Sequence, residues 1–269
     1  MSLIPSDLPP PPDDGGATGD DESDAEMASV LAWALPPAAP GDGLLERLLA
    51  RARATAVATL RRADGMWFRV ADGVSRKLVF LDAQERGSTA IWRLDAGATT
   101  TVEATPGDDV VFVVIEGTIV AEEAGVSHAL VTGDAVGVHA ARVQLKAESP
   151  AAVLVAVSFG AIEGPPGVQV VRAELTPAIA LNADVTAKPL FLHRAPRPDV
   201  AVLTVRANGA LDEHEHPETE ELLCLEGTCQ SHGELLEPGD YQRARAGSAH
   251  DQTTTATGST ILVLRRHFT

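Results

Sequence analysis

The sequence predicts a mainly β protein of two barrels, preceded by a short helical segment and a disordered acidic tail. Three observations predict it. From Trp67 onward the chain breaks into short runs rich in Val, Ile and Leu, divided by Gly, Asp and Pro turns, the pattern of an all-β sandwich or barrel. The pattern occurs twice with matching landmarks. Before it, residues 1–26 hold eight acidic side chains and no Lys or Arg, among repeated Pro and Gly. Such a stretch has too little apolar surface to offset the entropy of ordering.

In chain order, residues 1–26 read as the disordered tail, with neither the basic nor the apolar region of a secretory signal. Residues 27–63 read as helical. Met27 to Pro40 is a short helix stopped at Pro36-Pro37, and a longer one spans roughly 43–62, where Leu44, Leu45, Leu48, Leu49, Ala52, Val57 and Leu60 recur at helical spacing. That stripe serves either packing on a barrel or second subunit, or binding of a partner. Residues 64–160 form the first barrel, with strands expected at 67–71, 77–82, 89–94, 110–115, 118–122, 135–139, 142–147 and 151–158. Residues 161–167 are a linker around Pro165-Pro166. Residues 168–269 form the second barrel, with strands at 168–173, 188–194, 200–207, 214–216, 220–226, 240–244, 250–255 and 260–266.

The duplication rests on Leu94-Asp-Ala-Gly97 against Val205 to Gly209, Val114-Ile-Glu-Gly117 against Cys224-Leu-Glu-Gly227, and Thr132-Gly-Asp134 against Pro238-Gly-Asp240. With the glycines aligned, Ala104, Pro106 and Val110 stand where the second half has His214, His216 and Glu220, and Gln144 falls opposite His250. The first barrel is therefore expected to hold no metal. His128, His139, His193, His232 and His267 fall at no familiar ligand spacing.

The chemistry concentrates in Gly209-x4-His214-x-His216-x3-Glu220-x6-Gly227 and Gly239-x7-Gly247-x2-His250. Side chains alternate faces along a strand, so His214, His216 and Glu220, at even steps, point the same way. A second strand beyond the Pro238-Gly239-Asp240 turn brings His250 across from them. Three imidazoles and one carboxylate form a borderline donor set for Zn, Fe, Mn, Ni or Cu. Glu221 is the alternative carboxylate if the register slips by one residue. The plainer alternative is a pair of surface histidines among Asp212, Glu213, Glu215 and Glu218. Cys224 and Gln252 share parity with Glu220 and His250 and are pocket-lining candidates, Cys224 otherwise being a small buried residue. No residue stands out as catalytic beyond the metal set.

The net charge of −17, from 21 basic and 38 acidic groups, argues against a nucleic-acid surface. No apolar run reaches the length of a membrane span. Two cysteines, Cys224 and Cys229, suit a reducing compartment, so the expected location is cytoplasmic. Barrel edges and the leucine stripe offer surfaces for a homo-oligomer.

The two metal-site motifs resemble those of the cupin superfamily, whose double-stranded β-helix or jelly-roll barrel they imply. One residue fewer separates Gly209 from His214 than is usual there, Arg245 takes a Pro position and Thr254 an Asn position; all four ligand positions are filled. The run His214-Glu-His-Pro-Glu-Thr-Glu-Glu-Leu-Leu-Cys-Leu-Glu-Gly227, with Gly239-Asp-Tyr241, Gly247-Ser-Ala-His250 and the Trp67, Gly73-Val74 and Lys77-Leu78 approach to the first barrel, is similar to ChrR-like cupins. These include the C-terminal halves of zinc-containing anti-sigma regulators and related small-molecule dioxygenases. The resemblance implies one divalent metal, zinc or iron, with manganese or nickel as variants, and a small-molecule ligand in the C-terminal barrel. Leu31 to Pro40 and Leu44 to Leu49 are similar to the stretch after the sigma-binding helices of bacterial anti-sigma factors, implying a protein partner. The His-x3-Cys-x2-Cys zinc motif of those helices has no counterpart, because no cysteine precedes Cys224; sigma-factor binding itself is therefore in doubt. The expected function is a metal-binding regulatory or sensory bicupin. The alternatives are a metal-dependent dioxygenase acting on a small diketone-like or phenolic substrate, and a coordinatively closed zinc that only staples the barrel.

Overall fold

A computed structural model describes residues 57–82, 87–159, 165–192 and 198–266, and leaves out the side chains of Asp82 and His250. The acidic tail, the short helix and most of the longer one lie outside these residues, as do His193 and His267. The linker expected at 161–167 is described only from Pro165 onward.

Where the longer helix was expected to continue, the chain is extended. The first strand is β1 (Val57–Leu60). Its Val-Ala-Thr-Leu run pairs with the second barrel, and those sheet hydrogen bonds override the helical spacing of Val57 and Leu60. The first repeat continues with β2 (Phe68–Ala71), β3 (Val74–Asp82), β4 (Gly87–Leu94), β5 (Thr99–Glu103) and β6 (Asp109–Glu116). Then come β7 (Thr118–Glu123), β8 (Val126–Val131), β9 (Ala135–His139), β10 (Arg142–Ala147) and β11 (Ala151–Ser158). The second repeat opens with β12 (Gly167–Val171), one 3-10 turn, β13 (Ile179–Ala180), β14 (Val185–Phe191) and β15 (Asp199–Val205). It closes with β16 (Ala210–Leu211), β17 (His214–Glu215), β18 (Thr219–Gly227), β19 (Cys229–Ser231) and β20 (Glu234–Leu236). The last strands are β21 (Tyr241–Ala244), β22 (Ala249–His250), β23 (Thr253–Thr254) and β24 (Ser259–Arg266).

Each barrel closes a seven-stranded sheet on a smaller one. The first has β12-β9-β6-β11-β4-β3-β2 against β5-β10-β7-β8. The second has β1-β21-β18-β24-β15-β14-β13 against β16-β23-β19-β20, with β17 and β22 forming a separate pair. The repeats therefore exchange their first strands: β1 precedes the first barrel but pairs with β21 of the second, and β12 precedes the second but pairs with β9 of the first. Both exchanges end in the same clamp. Asp134 accepts hydrogen bonds from Arg172 Nη1 and the Ala173 N–H, each at 2.9 Å. Asp240 accepts them from Arg61 Nη1 at 3.0 Å and the Arg62 N–H at 2.7 Å. The Thr-Gly-Asp and Pro-Gly-Asp landmarks are thus sockets for a strand from the other repeat.

Alternation along the strands explains three cores. Val110, Phe112 and Val114 of β6 fill the first barrel, while Val111 and Val113 face the interface between barrels. In the second barrel, Leu222 and Cys224 of β18 with Ile261 and Val263 of β24 face inward, while Leu223, Leu262 and Leu264 face the interface. Gly117 and Gly227 hold φ of 82° and 68° at the same point of each repeat. A Cβ there would sit 2.2 Å from Pro150 O or 2.0 Å from Gly258 O, so no larger residue fits.

Candidate metal centre

His214, His216 and Glu220 come together with one donor atom of each within 4.8 Å of the others. They do not share one strand. His214 lies in β17, the chain bends at Pro217-Glu218, and Glu220 lies in β18. The Gly247 loop is tied back to this turn: the His216 N–H donates to Ser248 O at 2.9 Å and the Gly247 N–H to His216 O at 2.7 Å. This places His250 directly opposite His214 in the β17–β22 register; its side chain lies outside the described residues.

Glu220 Oε1 is 3.8 Å from His214 Nε2 and 4.0 Å from His216 Nδ1. Glu220 Oε2 accepts a 2.7 Å hydrogen bond from Arg265 Nε. Burial would raise the Glu220 carboxyl, but the contacts with His214 and then Arg265 outweigh it and hold the group at about 2. The same contact raises His214, whereas burial pushes His216 down toward its neutral form. His214 Nδ1 lies 3.0 Å from Asp212 O, which can only accept, so the proton sits on Nδ1 and neutral His214 has its lone pair on Nε2. The donor set fits a divalent metal. Bonds of about 2.1 Å place tetrahedral donors about 3.4 Å apart, shorter than the 3.8 and 4.0 Å from Glu220 to the imidazoles, so the side chains would draw in around an ion.

A cavity of about 440 Å³ opens beside the triad, lined by His214, His216, Glu220, Leu181, Leu211, Arg265 and the acidic Asp212–Glu218 turn. A second, apolar cavity of about 240 Å³ shares Leu181, Leu211, Glu220 and Arg265 with it. Sequence reasoning missed Arg265, whose only signal was a basic residue at the end of the apolar β24 run.

The neighbouring pair plays a different part. Glu221 and Arg266 turn to the opposite face and are paired at full burial. Tyr241 OH donates to Glu221 at 2.8 Å, and Thr89 Oγ1 of the first barrel donates to the same carboxylate. Arg266 donates to Ser88 O and Val157 O, both at 2.9 Å, joining the barrels. Glu221 thus faces away from the His214–His216–Glu220 cluster. Cys224 lies in the second barrel's core beside Cys229, and that neighbouring thiol, with burial, pushes Cys224 up. It does not line the cavity beside the triad. Gln252 is exposed after β22 and does not line that cavity either. In the first barrel, Ala104 and Val110 are core residues, whereas Pro106 and Gln144 are exposed. His139 is a buried β9 residue whose Nδ1 is 3.1 Å from Asp108 O.

Residues 167–269 match the family model described as the ChrR cupin-like domain. The C-terminal repeat is similar to ChrR-like cupins. Solved cupin structures are similar over both barrels. Ylba from E. coli, of family DUF861, has a TM-score of 0.66 at 13% identity, covering 79% of this chain and 93% of that one. A Nostoc punctiforme protein provisionally described as a dioxygenase gives 0.61 at 18% identity, covering 78% and 82%. A point mutant of Bacillus subtilis oxalate decarboxylase gives 0.60 at 14%, covering 78% of each chain. At these identities the likeness is one of fold. No curated protein matches the sequence. No helix among the described residues is long and apolar enough to cross a membrane.

Proposed function

We propose that the C-terminal barrel holds one divalent metal on His214, His216, Glu220 and His250 and presents it to a small molecule. The observation that carries this is the triad opening onto a 440 Å³ cavity, where a merely structural ion would be enclosed by its ligands. When bound, such an ion supplies a Lewis-acidic position for a ligand oxygen. The chain contributes the rest: Asp212 O orients His214, Arg265 keeps Glu220 ionised and turned toward the imidazoles, and burial keeps His216 neutral.

The use of this site in a cytoplasmic regulatory or sensory protein is the first reading, supported by the ChrR-like match over 167–269. A protein partner of the N-terminal segment belongs to that reading. A dioxygenase-type enzyme is the second, supported by the apolar cavity adjoining the triad. Elemental analysis of the purified protein and of His216→Ala tests the shared claim. One zinc or iron per chain, lost in the variant, is the expected result; no metal in either, even after reconstitution, refutes it. Oxygen consumption by iron-loaded protein with diketone and phenol candidates then separates the readings.

A further inference from the structure

We propose that the second barrel's cavity takes a monoanionic organic acid with an apolar body, its carboxylate held on Arg265 beside the metal ligands. This rests on the metal-site reading above and adds the ligand's chemical class.

The two cavities differ in character and share Arg265 as a wall. The larger is polar and carries the triad. The smaller is walled by Ile179, Ala187, Pro189, Ala201, Leu203 and Val263. Parity on β24 sets this arrangement, since Arg265 continues the inward face of Ile261 and Val263. Arg265 donates to Glu220 through Nε alone, and its terminal nitrogens make no hydrogen bond among the described residues. Its side chain is 52% exposed, so the pair with Glu220 adds little stability by itself. A guanidinium fixed at Nε with its outer fork open is matched by the two oxygens of a carboxylate.

Volume and charge narrow the class. An apolar cavity of ~150 Å³ is enough for benzene; 240 Å³ takes a ring with a short chain, or a medium aliphatic chain. Asp199, opposite Arg265 in the β15–β24 register, lines the apolar cavity with Glu220, so Arg265 is the cation there beside two acids. Asp212, Glu213 and Glu215 rim the polar mouth, so a second negative charge on the ligand would meet them. A monoanion with its acid on Arg265 and its body in the apolar cavity puts no second charge at that mouth.

The test is calorimetric titration of the protein, its metal content measured on the same sample, with butanoate, hexanoate, octanoate, 1-hexanol and adipate. Binding is expected to tighten roughly fourfold per methylene along the monoacids, the transfer free energy of a CH₂. Hexanoate should bind at least about tenfold more tightly than 1-hexanol or adipate, the contribution of a charge-assisted hydrogen bond. Arg265→Gln should erase the preference for acid over alcohol while keeping the chain-length trend, and Arg265→Lys should restore part of it. Ala201→Phe, which fills the apolar cavity, should flatten the chain-length trend with metal content intact. Metal-loaded protein that binds hexanol and hexanoate equally, or Arg265→Gln that keeps the preference, overturns the proposal. Protein that takes up no metal even after reconstitution yet still prefers hexanoate overturns the metal reading and supports this one.

Discussion

Two Glu–Arg pairs lie one residue apart on the same two strands and do different things. Glu220 and Arg265 face the cavity, with side-chain exposures of 3% and 52%. Glu221 and Arg266 face the other barrel at 0% and 1%. The residue types and strands are identical, and only parity separates them. One pair is half in water and leaves its arginine open to a ligand. The other is fully desolvated and has its remaining donors committed to first-barrel carbonyls and hydroxyls. A pair becomes a site or a strut according to which face it occupies, and this contrast can be tested pair by pair.

The largest effect is expected at the strut. Glu221→Ala leaves Arg266 charged and buried without its carboxylate and should cost about 3–5 kcal/mol of stability in urea unfolding, with the folded fraction keeping its metal. Glu220→Gln should do the reverse: metal content falls to background, while stability drops by only about 1 kcal/mol because half-exposed Arg265 regains water. A third test compares both pairs with the strand clamps. Asp240→Asn weakens the hold on Arg61 and the Arg62 N–H and should cost about 1–2 kcal/mol. Burial would raise the Asp240 carboxyl, but the Arg62 and Glu237 N–H groups and Arg61 depress it. A depressed pKa gives stability that is present above the ordinary value of 3.8 and lost as pH falls below it. Acid unfolding of the wild type should therefore be steeper below about pH 4 than that of Asp240→Asn. The smallest effect is at Gln252→Ala, an exposed position, which should leave metal content and melting temperature unchanged.

Much of the fold was legible. The short apolar runs of β6, β11, β18 and β24, divided by turns, with the matching glycines, marked the barrels and their duplication. β5, β8, β19 and β20 were missed because Thr-rich, His-bearing or very short strands carry little apolar signal. β1 was misread because Val57 and Leu60 satisfy helical spacing, and nothing local reveals a partner at Tyr241–Ala244. Parity chose Glu220 over Glu221, and the structure groups Glu220 with the histidines. The reasoning behind it was incomplete, because the bend at Pro217-Glu218 divides the candidate ligands between two sheets. Cys224 shares parity with Glu220 but lies further along β18, in the core, and Gln252 is past the end of β22. Arg265 was invisible as a site residue because its role depends on a strand pairing across the barrel.

The reciprocal loan of β1 and β12 reaches beyond the native state, into the order of synthesis. As the chain leaves the ribosome, Val57–Leu60 emerges before either barrel but finds Tyr241–Ala244 only after the whole first barrel and most of the second have been made. The first barrel likewise lacks an edge until Gly167–Val171 arrives. A nascent chain must hold an unpaired strand in waiting across most of its length, and contacts so distant in sequence make for slow folding. A fragment cut at the linker would leave both barrels with an open edge, and such a half is expected to aggregate rather than fold alone.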